Sequence, residues 1–184
     1  MNTPYAIRRA TLRDLDQLEA LIEQSARKVG TKCYTAVQLE AALRGAFGVD
    51  TQLINDGTYF VVESDDGSIV GCGGWSRRRT LFGGDNRMDR QTDELDPRTD
   101  GARIRAFFVD PQHLRRGIAS ALLAHCEAEA LAAGFLKLEL MATLTGVPLY
   151  RARGYVATAS VSYEGAPGVS IPFLAMAKDC ADKA

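Results

Sequence analysis

The stretch "VDPQHLRRGIASALL", residues 109–123, stops an apolar run at Pro111, sets Arg115 and Arg116 before Gly117, and continues into hydrophobics at helical spacing. A strand that halts, a short loop and a helix opening near Gly117 make an anion site, because the first N–H groups of a helix have no intrachain acceptor and the helix dipole is positive there. The exposed turn would comprise Ile118, Ala119 and Ser120, with Arg115 and Arg116 adding charge. Gly117 removes a side chain where a phosphate must approach the backbone, which suits a pyrophosphate. The same residues also read as an ordinary helix start with two solvated arginines. Other phosphate signatures fail. "GCGGWS", residues 71–76, lacks the last glycine of a dinucleotide fingerprint and no helical pattern follows it, and no Gly-x-x-x-x-Gly-Lys-Ser/Thr occurs. Gly71, Gly73 and Gly74 read instead as close backbone packing within a strand.

The elements that must hold such a site are legible around it. The 184 residues are 46% hydrophobic and 24% charged, which fits one domain over 1–184 with its own core. A formal net charge of -1 leaves no global field to draw nucleic acid or an anionic membrane. Cys33, Cys72, Cys126 and Cys180 lie far apart and form no C-x-x-C, so with only two histidines no metal site is expected and free thiols in a cytoplasmic setting are. No run reaches the ~18 apolar residues of a membrane span.

"YAIRRA" reads as a strand, and Thr11 as the cap of a helix carrying Leu12, Leu15, Leu18, Leu21 and Ile22 on one face. Thr35 caps a second helix ended by Gly45 and Gly48, and this pair can border a substrate cleft. Two β-branched runs around Asp65-Asp66-Gly67 read as a hairpin. Residues 76–101 have almost no apolar periodicity and read as a long polar loop, either functional or solvated, in which Arg77 to Arg79 hint at an anionic acceptor. "ARIRAFFVD" is a strand apolar on both faces at Phe107, Phe108 and Val109, as a covered central strand requires. Then Ile118, Leu122, Cys126 and Ala130 recur four apart on a helix, "FLKLELMAT" is a strand, "GVPLYRARGY" a short helix, and the tail two strands around Gly165, Pro167 and Gly168. The order is β-α-α-β-β-β-α-β-α-β-β.

Residues 103–155 resemble the GNAT family of acyl-CoA-dependent N-acyltransferases. "LRRGIA" lines up on that family's phosphate signature, Gln/Arg-x-x-Gly-x-Gly/Ala, departing at Leu114, and "LYRARGY" on its second signature, Y-x-x-x-G-Phe/Tyr. The resemblance implies a mixed α/β fold whose central, mostly antiparallel twisted sheet of six to seven strands is splayed in the middle and flanked by about four helices. It implies acetyl-CoA as co-substrate, with the Arg115–Ser120 turn on the pyrophosphate and the Phe107–Val109 strand offering backbone groups to pantetheine and to an oxyanion. Tyr150 falls where the family often keeps a general acid facing the sulfur, and Thr143 where asparagine is usual. Glu139 is the best candidate for a base, since related enzymes often carry an acid on that strand, with Glu63, His113 or a water relay as alternatives. The reaction implied is direct attack of an amine, on a small molecule or a protein, on the thioester; a non-catalytic coenzyme A binding module is the competing reading. A homodimer through the last strands is compatible with either.

Overall fold

Turn and cap chemistry draws the element boundaries. In this computed structural model, which describes residues 5–82, 84–85 and 91–181, Gly67 takes φ 80° in the expected hairpin turn. Thr35 caps the second helix, its hydroxyl accepting from the Gln38 N–H. The elements are β1 (Tyr5–Arg9), α1 (Leu15–Gly30), α2 (Ala36–Leu43), α3 (Thr51–Asn55), β2 (Tyr59–Ser64), β3 (Ile69–Ser76), β4 (Ala102–Val109), α4 (Ile118–Ala132), β5 (Lys137–Thr143), α5 (Val147–Ala152), β6 (Val156–Ala166) and β7 (Val169–Asp179). They build one 7-stranded sheet in the order β1-β2-β3-β4-β5-β7-β6. Every neighbouring pair is antiparallel except β4 with β5.

The expected order holds, with α3 in addition, so the described residues carry five α-helices. Thr11 begins a 3-10 turn, Leu12–Asp14, ahead of α1; Leu12 is therefore exposed while Leu18, Leu21 and Ile22 are buried. Asp14 accepts from the Thr11 N–H and, through both carboxylate oxygens, from the Arg8 guanidinium. Arg8 holds the Asp14 carboxyl down at about 2. A carboxyl depressed on folding contributes stability at neutral pH that disappears as pH falls through the range between its unfolded and folded values. Asp14→Asn should therefore lower the unfolding free energy by about 1–2 kcal/mol at pH 7, and urea titrations should show that difference shrinking toward pH 2.

Cores lie on both faces of the sheet. α4 sets Ile118, Leu122, Cys126 and Ala130 against Ile104, Leu138 and Leu140 on one side. On the other, α1 to α3 bury Leu18, Ile22, Leu39 and Leu53 against Val61 and Cys72. β4 serves both, with Phe107 on the α4 side and Phe108 on the α1 side.

What opens the sheet is a bulge in β4. Cys72 pairs with Phe108 and Gly74 with Arg105, so Gly73 alone opposes Ala106 and Phe107. Ala106 absorbs the extra residue with φ 60°, in the left-handed region. A Cβ on Gly73 would lie 2.6 Å from the Phe107 ring, so only glycine seats that ring. β4 and β5 share the rungs Ala102↔Leu138 and Arg103↔Glu139 and then part.

The 76–101 segment departs from the solvated reading over its described residues. Ser76 belongs to β3. Beyond it Arg78 bridges Glu94, the Leu95 N–H donates to the Arg77 carbonyl at 2.7 Å, and Leu95 is buried. From beneath, Arg105 donates to the Thr80 carbonyl at 3.0 Å and pairs with the buried Asp50 at 2.9 Å. Residues 83 and 86–90 of the segment, Asp89 among them, lie outside the described residues.

Candidate active site

Where β4 ends, Leu114 is extended, Arg115 turns left-handed with φ 63°, and Gly117 does so again with φ 83° as the N-cap of α4. Ala121 is the first residue of α4 with a backbone acceptor, the Gly117 carbonyl at 2.9 Å; among the described residues no backbone acceptor meets the N–H of Ile118, Ala119 or Ser120. These three residues, with Arg115 and Gly117, form one wall of a cleft of about 570 Å³. Three unpaired N–H groups at a positive helix end, with a cation beside them, are the chemistry an anion such as a diphosphate requires.

Arg116 does not line the cleft: it reaches back to the Tyr5 hydroxyl at 3.3 Å, so its side chain is a weaker claimant on the anion than Arg115. Leu114 lines the cleft too, and its apolar side chain leaves the N–H array intact.

The cleft runs from the anion wall along Phe107, Phe108 and Val109 to Thr143, Gly146 and Tyr150, and reaches Val29, Gly30, Tyr34 and Phe47 on the opposite face. It therefore passes through the sheet, along the gap between β4 and β5. An extended chain entering from the α4 side can present its end to a molecule arriving from the α1 side.

Tyr150 is buried, stacks edge-on to Tyr155 with ring centroids 5.7 Å apart, and faces the cleft from α5. No hydrogen bond from its hydroxyl to a side chain or backbone is found among the described residues, and Tyr150 lines the cleft. Burial, with Cys126 nearby, pushes the phenol well above its ordinary value. It is therefore a protonated donor throughout the working pH range. Thr143 stands at the turn into α5, its hydroxyl accepting from the Gly146 N–H at 3.2 Å.

Glu139 is not brought to this site. It sits at the closed end of the gap, on the last β4–β5 rung, ion-paired with Arg103 and with Lys137, and is not among the residues lining the cleft. Its charge is paired with a half-buried arginine, away from the cleft in which the expected base would have to act. Glu139→Gln should leave turnover within about 2-fold, and should lower the melting temperature by stranding the Arg103 charge. Glu63 is likewise engaged, accepting from Arg8 at 2.8 Å. His113 lines the cleft, but in the turn before α4, with Nδ1 3.7 Å from an Asp110 carboxylate oxygen. No carboxylate is found among the described lining residues. Arg77, Arg78 and Arg79 of the long loop are ion-paired to Glu94, Asp56 and Asp100, and none of the three lines the cleft.

Tyr34 and Phe47 line the cleft, and the sequence reading did not single them out. The available signal was their place in the breaks between the first helices, where binding residues concentrate.

A mostly antiparallel sheet opened at one parallel pair, with a helix start poised to hold an anion at the mouth, is the architecture of the N-acetyltransferases. The sequence profile of the Acetyltransferase (GNAT) family matches residues 18–155, and the chain belongs to that family. It is an acetyltransferase. Solved structures agree in fold. A GCN5-related N-acetyltransferase from Rhodopseudomonas palustris superposes with a TM-score of 0.71 at 21% identity, covering 97% of each chain. The PaiA N-acetyltransferase of Thermoplasma acidophilum, in complex with coenzyme A, gives 0.65 at 14% identity, covering 95% of this chain and 98% of that one. The ribosomal-protein-S18-alanine N-acetyltransferase of Escherichia coli gives 0.59 at 16%, covering 96% and 94%. No match was found among curated proteins. Among the described residues no helix is long and apolar enough to cross a membrane, and no cluster of His, Cys, Asp and Glu could hold a metal ion.

Proposed function

We propose that this acetyltransferase takes its acetyl group from acetyl-CoA and passes it to an amine by direct attack on the thioester, in the cytoplasm. The observation that carries the reading is the continuity of one cleft from the unpaired N–H groups of Ile118, Ala119 and Ser120 to the hydroxyl of Tyr150. The residues present fit the co-substrate: the α4 turn and Arg115 would take the diphosphate, and the unpaired edge of β4 beyond Arg103 would take the pantetheine amides. Acetyl-CoA supplies an activated acyl carbon and a thiolate leaving group.

The chain's own part is to place the donor and settle the charges. Backbone N–H groups on the splayed edge of β4 are the candidates to stabilise the oxyanion. Tyr150 donates a hydrogen bond to the departing sulfur. Moving a proton from a phenol of pKa ~10 or more to a thiolate whose acid has pKa ~8.5 is uphill by about 2 kcal/mol or more. Tyr150 therefore works by hydrogen bonding and does not need to ionise. As the N–C bond forms and the C–S bond breaks, the amine's proton leaves to water, since no carboxylate lines the described cleft. An amine of pKa ~10 is neutral about once in a thousand at pH 7, so the rate should climb with pH along the acceptor's own titration.

The Tyr34, Phe47 and Phe108 side chains wall the acceptor end with aromatic surface. The test is thiol release from acetyl-CoA with a panel of small amines and N-terminal peptides, products weighed by mass spectrometry. Acetylation of at least one acceptor supports the reading. Tight coenzyme A binding without turnover on any acceptor favours the non-catalytic module.

A further inference from the structure

The last rung between β5 and β7 is Thr143↔Phe173, so the next would bring Leu144 opposite Pro172. That rung is filled by a side chain. The hydroxyl of Tyr34, from the α1–α2 connection, accepts from the Leu144 N–H at 2.9 Å and donates to the Pro172 carbonyl at 2.9 Å. Tyr34 is itself buried, its own N–H bonded to the Gly30 carbonyl at 2.9 Å, and its ring lines the cleft. Burial raises its phenol, so the hydroxyl keeps its proton and both bonds persist at assay pH.

The consequence lies downstream. Leu144 opens the turn in which the Gly146 N–H meets the Thr143 carbonyl and hydroxyl, and Gly146 in turn accepts from the Leu149 N–H as α5 begins. Tyr150 follows immediately on that helix. One hydroxyl thus ties the end of the acceptor-side helix to the turn that aims Tyr150. We propose that Tyr34 is a positioning residue that acts through Tyr150, ending the β5–β7 ladder one rung early so that α5 presents the Tyr150 hydroxyl to the cleft. This rests on the reading of Tyr150 as the donor to sulfur.

The test is a double-mutant cycle on the full chain, reading thiol release from acetyl-CoA with an equimolar mixture of benzylamine, glycinamide and spermidine. Tyr34→Phe keeps the ring and should lower kcat about 10-fold with KM for acetyl-CoA within about 2-fold; in a Tyr150→Phe background the same change should alter kcat less than about 2-fold. A merely structural role would lower kcat by the same factor in both backgrounds, and that additivity overturns the proposal while leaving Tyr150 in place. A Tyr150→Phe variant as fast as wild type, or a wild type inactive on the mixture, overturns the reading beneath it as well. Hydrogen exchange on the unsubstituted chain gives a check that needs no variant: the Leu144 amide should be protected like the β5 ladder amides, and free exchange there contradicts the bond.

Discussion

Tyr150→Phe should release coenzyme A about 100-fold more slowly than the unsubstituted chain, the size usual for losing one positioned hydrogen-bond donor to a developing charge. The ring fills a buried position against Tyr155, so phenylalanine keeps the packing and removes one oxygen. That oxygen has no protein partner among the described residues, so its loss strands no donor or acceptor and the melting temperature should hold or rise. Affinity for coenzyme A should also hold, because the proposed diphosphate site lies at the other end of the cleft. A fall in kcat with unchanged binding and stability is the signature of a contact made in the transition state. Equal loss of affinity would show instead that Tyr150 only shapes the groove.

Ala119→Glu carries the second large effect, and its two readouts should move in opposite directions. Ala119 lies in the first turn of α4 and lines the cleft. A carboxylate there complements the helix dipole, so stability should rise by about 0.5 kcal/mol. The same carboxylate would occupy the proposed place of the diphosphate and repel it. Two like charges about 4 Å apart near a protein surface interact by about 4 kcal/mol, so coenzyme A should bind about 100-fold more weakly or worse. Thermal melts and calorimetry read the two effects separately. A variant that is more stable yet binds coenzyme A unchanged would place the diphosphate elsewhere.

Local chemistry was the legible part of this chain. Thr35, Gly67, and the four-residue spacing of Ile118, Leu122, Cys126 and Ala130 announce their caps, turns and buried face from composition alone, and the structure bears them out. The turn before α4 is legible for the same reason, since a strand stop, a glycine and a helix start are all local signals. α3 was missed because a five-residue helix shows no period.

Long-range pairing was opaque. Alternation along β5 marks Glu139 as outside the core but cannot show that the parallel rung sets it against Arg103, 36 positions away in the chain. That pairing holds it at the closed end of the gap, away from the cleft. The left-handed Ala106 was equally hidden, because alanine gives no sign of that conformation and only the mismatch of β3 against β4 imposes it. Tyr34 reads as a packing aromatic until Leu144 and Pro172 are seen on either side of its hydroxyl.

The central claim is that the free amides opening α4 hold a diphosphate and so line a thioester up with Tyr150. Calorimetry comparing coenzyme A with pantetheine, which shares the thiol arm and lacks the diphosphate, tests it most directly. We expect coenzyme A to bind at least about 100-fold more tightly, the worth of two or more charge-assisted hydrogen bonds. Equal affinities for the two, or no heat from coenzyme A at all, would contradict it.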